Sequence, residues 1–135
     1  MHSATFLPAD TSIRKVAETM AGKNIGSVLI GASGDISGIL TERDIIKKVT
    51  SMGLDPDSTK ASDIANSPVV NIDADADVYQ ITSIFNENSI RRLPVMEEGQ
   101  IIGILTTRDV TKSLIPGFFR HHPLFKDIKE YKKKG

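Results

Sequence analysis

The 135-residue chain contains no cysteine. A disulfide framework, a thiolate metal site and a cysteine nucleophile are therefore excluded together, and a reducing cytoplasm is the expected home. There is no excess charge of either sign. Seventeen basic and seventeen acidic residues leave a formal net charge of zero, so no overall field draws in nucleic acid or an anionic membrane, and any anion site must be local. No apolar run approaches the ~18 residues of a membrane span, and the first residues lack the basic region, apolar run and cleavage pattern of an export signal. A soluble, unexported protein with no membrane partner is expected. Gly-rich phosphate loops, nucleophile elbows and metalloprotease patterns are also missing. The three histidines are His2, His121 and His122. An adjacent pair without nearby partners is a weak metal site and reads as a surface turn. Neither catalysis, a bound metal nor a cofactor is expected.

What remains is a composition near the soluble average, 39% hydrophobic and 25% charged, in a chain the size of about one ordinary domain. The chain repeats itself. Gly38-Ile39-Leu40-Thr41-Glu42-Arg43-Asp44-Ile45 returns as Gly103-Ile104-Leu105-Thr106-Thr107-Arg108-Asp109-Val110, an offset of 65. Extended without a gap, the offset sets Asp10 on Asp75, Ile13 on Val78, Ile25 on Ile90, Gly34 on Gly99, Ile36 on Ile101 and Lys47 on Lys112. Two copies of one unit are expected to pack on each other, with the functional site between them.

The periodicity of the first copy predicts a short strand at residues 4–7, closed by Pro8. A helix follows, started by the side-chain oxygens of Asp10-Thr11-Ser12, with Ile13, Val16, Ala17 and Met20 as its apolar stripe, ending near Gly22. Ser27–Ile30 and Ile36–Leu40 read as a hairpin around Ala32-Ser33-Gly34-Asp35. Thr41 then begins a second helix with Ile45, Ile46 and Val49 buried. The second copy predicts a strand at Val69–Ile72, a helix with Val78, Ile81, Thr82 and Phe85 as its stripe, and strands at Leu93–Met96 and Ile101–Leu105 around Glu97-Glu98-Gly99-Gln100. Its last helix, Thr107–Ile115, is expected to stop at Pro116. The plan is β-α-β-β-α twice, a mixed α/β (α+β) fold. The organisation expected is repeat 1 at 1–52, a linker with a short helix over Lys60–Asn66 at 53–68, repeat 2 at 69–115 and a tail at 116–135. In the tail, Leu124, Ile128 and Tyr131 suggest a short amphipathic helix before Lys132-Lys133-Lys134.

Each Thr-x-x-Asp sits at a strand-to-helix junction and admits two readings. The threonine hydroxyl can accept from the amide three residues on while the aspartate reaches back, a capping box. Alternatively, the helix start offers amides and partial positive charge to a phosphate, the threonine adds a hydroxyl, and the aspartate accepts from ribose hydroxyls. Occurrence in both halves raises the second reading. Arg43 and Arg108 can supply charge to such a ligand or pair with acids such as Glu42 or Asp44.

The Gly-Ile-Leu-Thr-x-x-Asp segments, the β-α-β-β-α order and Arg91-Arg92-Leu93-Pro94-Val95 together resemble a tandem pair of CBS domains, the module first recognised in cystathionine beta-synthase, over residues 5–115. The first copy has Gly26-Ser27-Val28-Leu29-Ile30 at the equivalent place, without arginines or proline. The resemblance implies one pseudo-twofold unit with two clefts, and an adenosine ligand: AMP, ADP or ATP, or else S-adenosylmethionine. By position, one cleft uses Thr41 and Asp44 with Val70, Ile90, Arg91 and Arg92; the other uses Thr106 and Asp109 with Thr5, Ile25, Gly26 and Ser27. Arg91 and Arg92 point to opposite faces of their strand, so either can take a phosphate and either can be solvated. The leading expectation is a non-enzymatic regulatory, energy-sensing module, homodimeric and read by an unknown regulated protein. The rivals are a ligand-free dimerisation scaffold whose Thr-x-x-Asp segments only cap helices, and nucleic-acid binding through the lysine-rich tail, which ranks well below.

Overall fold

The computed structural model describes residues 1–118, with side chains through Lys112. In chain order the elements are β1 (Phe6–Leu7), α1 (Ile13–Lys23), β2 (Ser27–Ala32), β3 (Asp35–Thr41), α2 (Glu42–Ile45), a π-helical turn (Ile46–Thr50), α3 (Ala61–Ile64), β4 (Ile72–Asp73), α4 (Val78–Asn88), β5 (Arg92–Glu97), β6 (Gln100–Thr106) and α5 (Thr107–Phe118). From α1/α4 through β3/β6 the bounds repeat at the offset of 65. Each repeat forms its own three-stranded sheet, β1-β2-β3 or β4-β5-β6, with one parallel and one antiparallel pairing. The register repeats as well: Ser27 faces Thr41 and Arg92 faces Thr106, and each hairpin slips at the same place, between Ile30 and Gly31 or between Val95 and Met96.

Local chemistry explains the boundaries. Ser12 caps α1 by accepting from the Lys15 amide (3.2 Å), while Asp77 and Gln80 make a reciprocal capping box on α4. Both helices end in a left-handed residue, Asn24 and Ser89. In the second hairpin Glu98 and Gly99 both have positive φ, the backbone of a type I′ turn, whose twist matches the strands it joins.

The helix stripes are narrower than their spacing predicts. Ile13, Val16 and Met20 are buried but Ala17 is exposed; on α4, Phe85 is buried and Ile81 and Ile84 half-buried, while Thr82 and Val78 are exposed. A single helix lying on a small sheet buries a seam at i, i+3 and i+7 and leaves i+4 at its edge. Ile46, expected inside, is 62% exposed, because it lies about 100° around the helix from Ile45, which packs on the core with Val49. The strand expected at Val69–Ile72 begins only at Ile72, since the chain is still crossing between the sheets at Val69 and Val70. Pro116 does not stop the last helix, which continues to Phe118. The missing Pro116 N–H deprives a single carbonyl, that of Lys112, of its helical partner, a loss of one bond close to the helix end. The tail helix suggested by Leu124, Ile128 and Tyr131 lies outside the described residues.

Between the sheets, Leu29, Ile101 and Ile104 form a buried cluster with Phe6, Ile36, Ile39 and Met96. The hairpin of repeat 1 also binds repeat 2 directly, with the Ile101 amide donating to the Ser33 carbonyl (3.0 Å). The approach segments are exchanged. Asn66, leading into repeat 2, pairs with the edge of β3 at Ile39, through N–H···O bonds of 2.8 and 3.0 Å. His2, leading into repeat 1, pairs with β6 at Ile104, through bonds of 2.9 and 2.8 Å. The repeated glycines make this crossing feasible. A Cβ on Gly38 would lie 2.9 Å from the Ala65 Cβ and 3.2 Å from the Asn66 carbonyl oxygen, and one on Gly103 would lie 2.9 Å from the His2 carbonyl oxygen.

Candidate functional site

Two hollows open between the repeats. The first, of about 500 Å³, takes Thr41 and Arg43 from the β3–α2 junction, Val70 from the lead into β4, and Ile90, Arg91 and Arg92 from the start of β5. The second, of about 670 Å³, takes Ile25, Gly26 and Ser27 from the start of β2 and Thr106 and Arg108 from the β6–α5 junction. Arg43, Arg91 and Arg92 line both. A third hollow of about 710 Å³ lies wholly on repeat 2, between Ile72, Asp73, Asp75 and Ile84. Its size does not make it the site, because its charged residues are acids and only one repeat contributes.

Thr5, Asp44 and Asp109 line neither inter-repeat hollow. The Thr5 carbonyl accepts from the Leu29 amide (2.8 Å), part of the sheet. Asp44 completes a capping box: its Oδ2 accepts from the Thr41 amide (2.8 Å), the Thr41 hydroxyl (2.9 Å) and the Asn66 side-chain amide (2.8 Å), while its own amide donates to Thr41 Oγ1 (3.2 Å). Lys48 Nζ stands 3.6 Å from the other oxygen. Asp109 repeats the box, its Oδ2 accepting from the Thr106 amide (2.9 Å) and its amide donating to Thr106 Oγ1 (3.1 Å). His2 Nε2 lies 3.3 Å from its Oδ1. Burial alone would raise the Asp109 pKa, but the bonds from Thr106 and the positive charge of His2 and the amino terminus outweigh it and hold the carboxyl below its ordinary range.

The structural half of the Thr-x-x-Asp readings is thus realised at both junctions. The helix starts are also less open than a bare terminus. Glu42 donates its amide to the Gly26 carbonyl (3.0 Å) and Thr107 donates its own to the Arg91 carbonyl (3.0 Å). With those amides taken, positive charge comes mainly from guanidinium groups. Arg43, Lys47, Arg91 and Arg92 converge on the first hollow without an acidic side chain among its described lining residues. In the second, Glu42 stands 3.9 Å from Arg92 and offsets part of the charge. The absence of a side chain at Gly26 lets Arg92 reach this point, since a Cβ there would meet its guanidinium. Arg43, Arg91 and Arg108 make no ion pair among the described residues, which leaves them to solvent or to an anion.

Three side chains now join the site. Lys47 follows Arg43 by one helical turn, a spacing that puts both on one face. Asn66 and His2 occupy corresponding approach segments, and each places its side chain on the junction aspartate of the repeat it does not lead into. Only the crossing of those segments reveals that. Among the described residues no group of three or more histidines and acids could hold a metal ion, and no helix is long and apolar enough to cross a membrane.

The comparisons with known proteins agree with this architecture. The family model for the CBS domain matches residues 1–51 and 61–116. An uncharacterised protein of Methanopyrus kandleri is 38% identical over 108 residues, covering 78% of this chain and 55% of that protein, so the chain spans about half of its length. Hypoxic response protein 1 of Mycobacterium tuberculosis is 32% identical over 104 residues, covering 76% of this chain and 73% of that protein. A CBS domain protein of Pyrobaculum aerophilum, solved in complex with AMP, superimposes with a TM-score of 0.70 at 27% identity, covering 81% of this chain and 84% of that one. Two family matches, one on each half of a chain whose halves share element order and register, make this protein a member of the CBS domain family with two copies of the domain in tandem.

Proposed function

We propose that the pair is a non-enzymatic regulatory module that binds an adenosine nucleotide between its repeats, with residues 1–52 and 69–115 as the repeats, 53–68 as the linker and 116–135 as an appendage. The observation that carries this reading is the first hollow: four cations face a wall formed by Val70 and Ile90, in a volume of about 500 Å³, within the range of small-molecule sites. The base lies on the apolar wall and the phosphates among Arg43, Lys47, Arg91 and Arg92. Asp44 lies outside the lining, with Lys48 Nζ 3.6 Å from its Oδ1, and reaches a ribose hydroxyl only from the edge of the first hollow, while Thr106 lines the second. The AMP complex of the Pyrobaculum protein supports this ligand class over S-adenosylmethionine, which lacks phosphate. Occupancy acts by favouring one arrangement of the repeats, in a homodimer read by a partner protein.

Thermal melts with AMP, ADP, ATP, S-adenosylmethionine and NAD test the reading. A ligand at a hundred times its Kd stabilises by about 2.7 kcal/mol, a rise in Tm of about 10 °C for a chain of this size. No concentration-dependent shift with any adenosine compound would overturn it. One observation favours a second reading, a scaffold without ligand: both aspartates are already engaged as caps. A flat panel together with a stable dimer would establish that instead.

A further inference from the structure

The two hollows correspond by repeat symmetry but differ in the charge each one owns. At the offset of 65, Arg91 and Arg92 of the first hollow correspond to Gly26 and Ser27 of the second. Lys47, which lines the first, corresponds to Lys112, which does not line the second. The second hollow therefore has Arg108 as its own cationic side chain, beside His2. It draws the rest of its positive charge from Arg43, Arg91 and Arg92, which line the first as well. Arg92 reaches across Gly26 to stand 3.9 Å from Glu42, the acid of the second hollow.

This sharing changes the charge balance. Taken singly, the first hollow has four cations, and the second has four cations and one acid besides His2. Three of the cations are the same groups, so the two hollows together hold five cations and one acid. A phosphate monoester carries about −1.5 to −2 charges at neutral pH, and a triphosphate carries more. Guanidinium groups hold phosphate through directed pairs of N–H bonds, so a group turned to one hollow has little left for the other. A triphosphate in the first hollow consumes most of the positive charge that both possess and draws Arg92 away from Glu42. The second hollow is left with Arg108 and a carboxylate that has lost its partner.

We propose that the two hollows compete for one layer of guanidinium groups, so that a phosphate-bearing nucleotide in the first turns the second against phosphate and toward an adenosine compound without it. The proposal rests on the nucleotide reading above and gives the second hollow a ligand class of its own. The coupling grows with the charge of the ligand and is reciprocal. The fully occupied module then holds a nucleotide and a nucleoside together, a state that forms only when both are present.

Calorimetry of the full-length chain with adenosine, AMP and ATP, without divalent metal, tests this. The two stepwise Kd values should differ by about tenfold for AMP, more for ATP and least for adenosine, and the gap should close as salt screens the charges. In equilibrium dialysis, labelled adenosine should still enter the chain when ATP fills the first hollow. Ser27→Arg gives the second hollow a guanidinium at the place of Arg92 and should narrow the AMP gap; the native series decides the matter even if that variant misfolds. A gap equal for all three ligands and insensitive to salt, or exclusion of adenosine by ATP, would overturn the proposal and leave the nucleotide reading standing. No uptake of any of the three would remove that reading, and the proposal with it.

Discussion

Replacing Gly38 with alanine tests how firmly the repeats are strapped together. The new methyl would sit 2.9 Å from the Ala65 Cβ and 3.2 Å from the Asn66 carbonyl oxygen, neither of which can swing aside without moving backbone. Relief therefore means pushing the approach segment off β3, stretching the Ile39–Asn66 bonds of 3.0 and 2.8 Å. Two such bonds contribute about 1 kcal/mol each, and overpacking costs about 1–3 kcal/mol. The stiffer unfolded chain returns about 0.5–1 kcal/mol. The net loss is about 2–4.5 kcal/mol, a fall in Tm of about 7–15 °C. Urea unfolding should show a lower midpoint with an unchanged m-value. Gly22→Ala is the control: it lies in α1 with nothing within 4 Å of a Cβ, so it should stabilise by about 0.5–1 kcal/mol. A Gly38→Ala midpoint equal to or above the native one would refute the strapping argument.

Three further outcomes are expected. Asp109 has a depressed folded-state pKa, so its contribution is present above the unfolded value of about 4 and lost as pH falls through the lower folded value. The urea-midpoint gap between the native chain and Asp109→Asn should be wide at neutral pH and narrow at the acid end, and a gap independent of pH would contradict the assignment. Asp44→Ala should destabilise by about 1 kcal/mol through the lost cap and, under the nucleotide reading, weaken AMP binding by a further ~1.5–3 kcal/mol; calorimetry showing unchanged affinity would restrict Asp44 to capping. Arg91→Ala and Arg92→Ala should each weaken ATP more than adenosine and flatten the salt dependence of binding, and equal losses for both ligands would take phosphate away from the arginines.

Much of the fold could be read from the chain itself, because a 65-residue repeat constrains two copies at once. The hairpins around Gly34 and Gly99 and both helix starts fall where turn formers and apolar spacing put them. The departures share a cause: spacing says which side chains align, and not what lies opposite them. Val78 has the same place in its stripe as Ile13, yet it is exposed where no described segment covers it. Of the residues the resemblance grouped, Thr41, Val70, Ile90, Arg91 and Arg92 line one hollow together with Arg43, and Asp44 lies outside its lining. The engagement of Asp44 by Asn66, and of Asp109 by His2, was not legible. Those contacts depend on approach segments that carry no repeated motif and find their partners only after crossing to the opposite sheet.

That crossing also governs whether either half could live alone. A chain cut after the first repeat would leave the rim of β3 without Asn66, presenting bare N–H and carbonyl groups to any passing strand, and β6 would face the same hazard without His2. Each unit thus shields its sibling from sticking to strangers. A gene encoding one copy would need two chains to trade these segments before either was safe in solution.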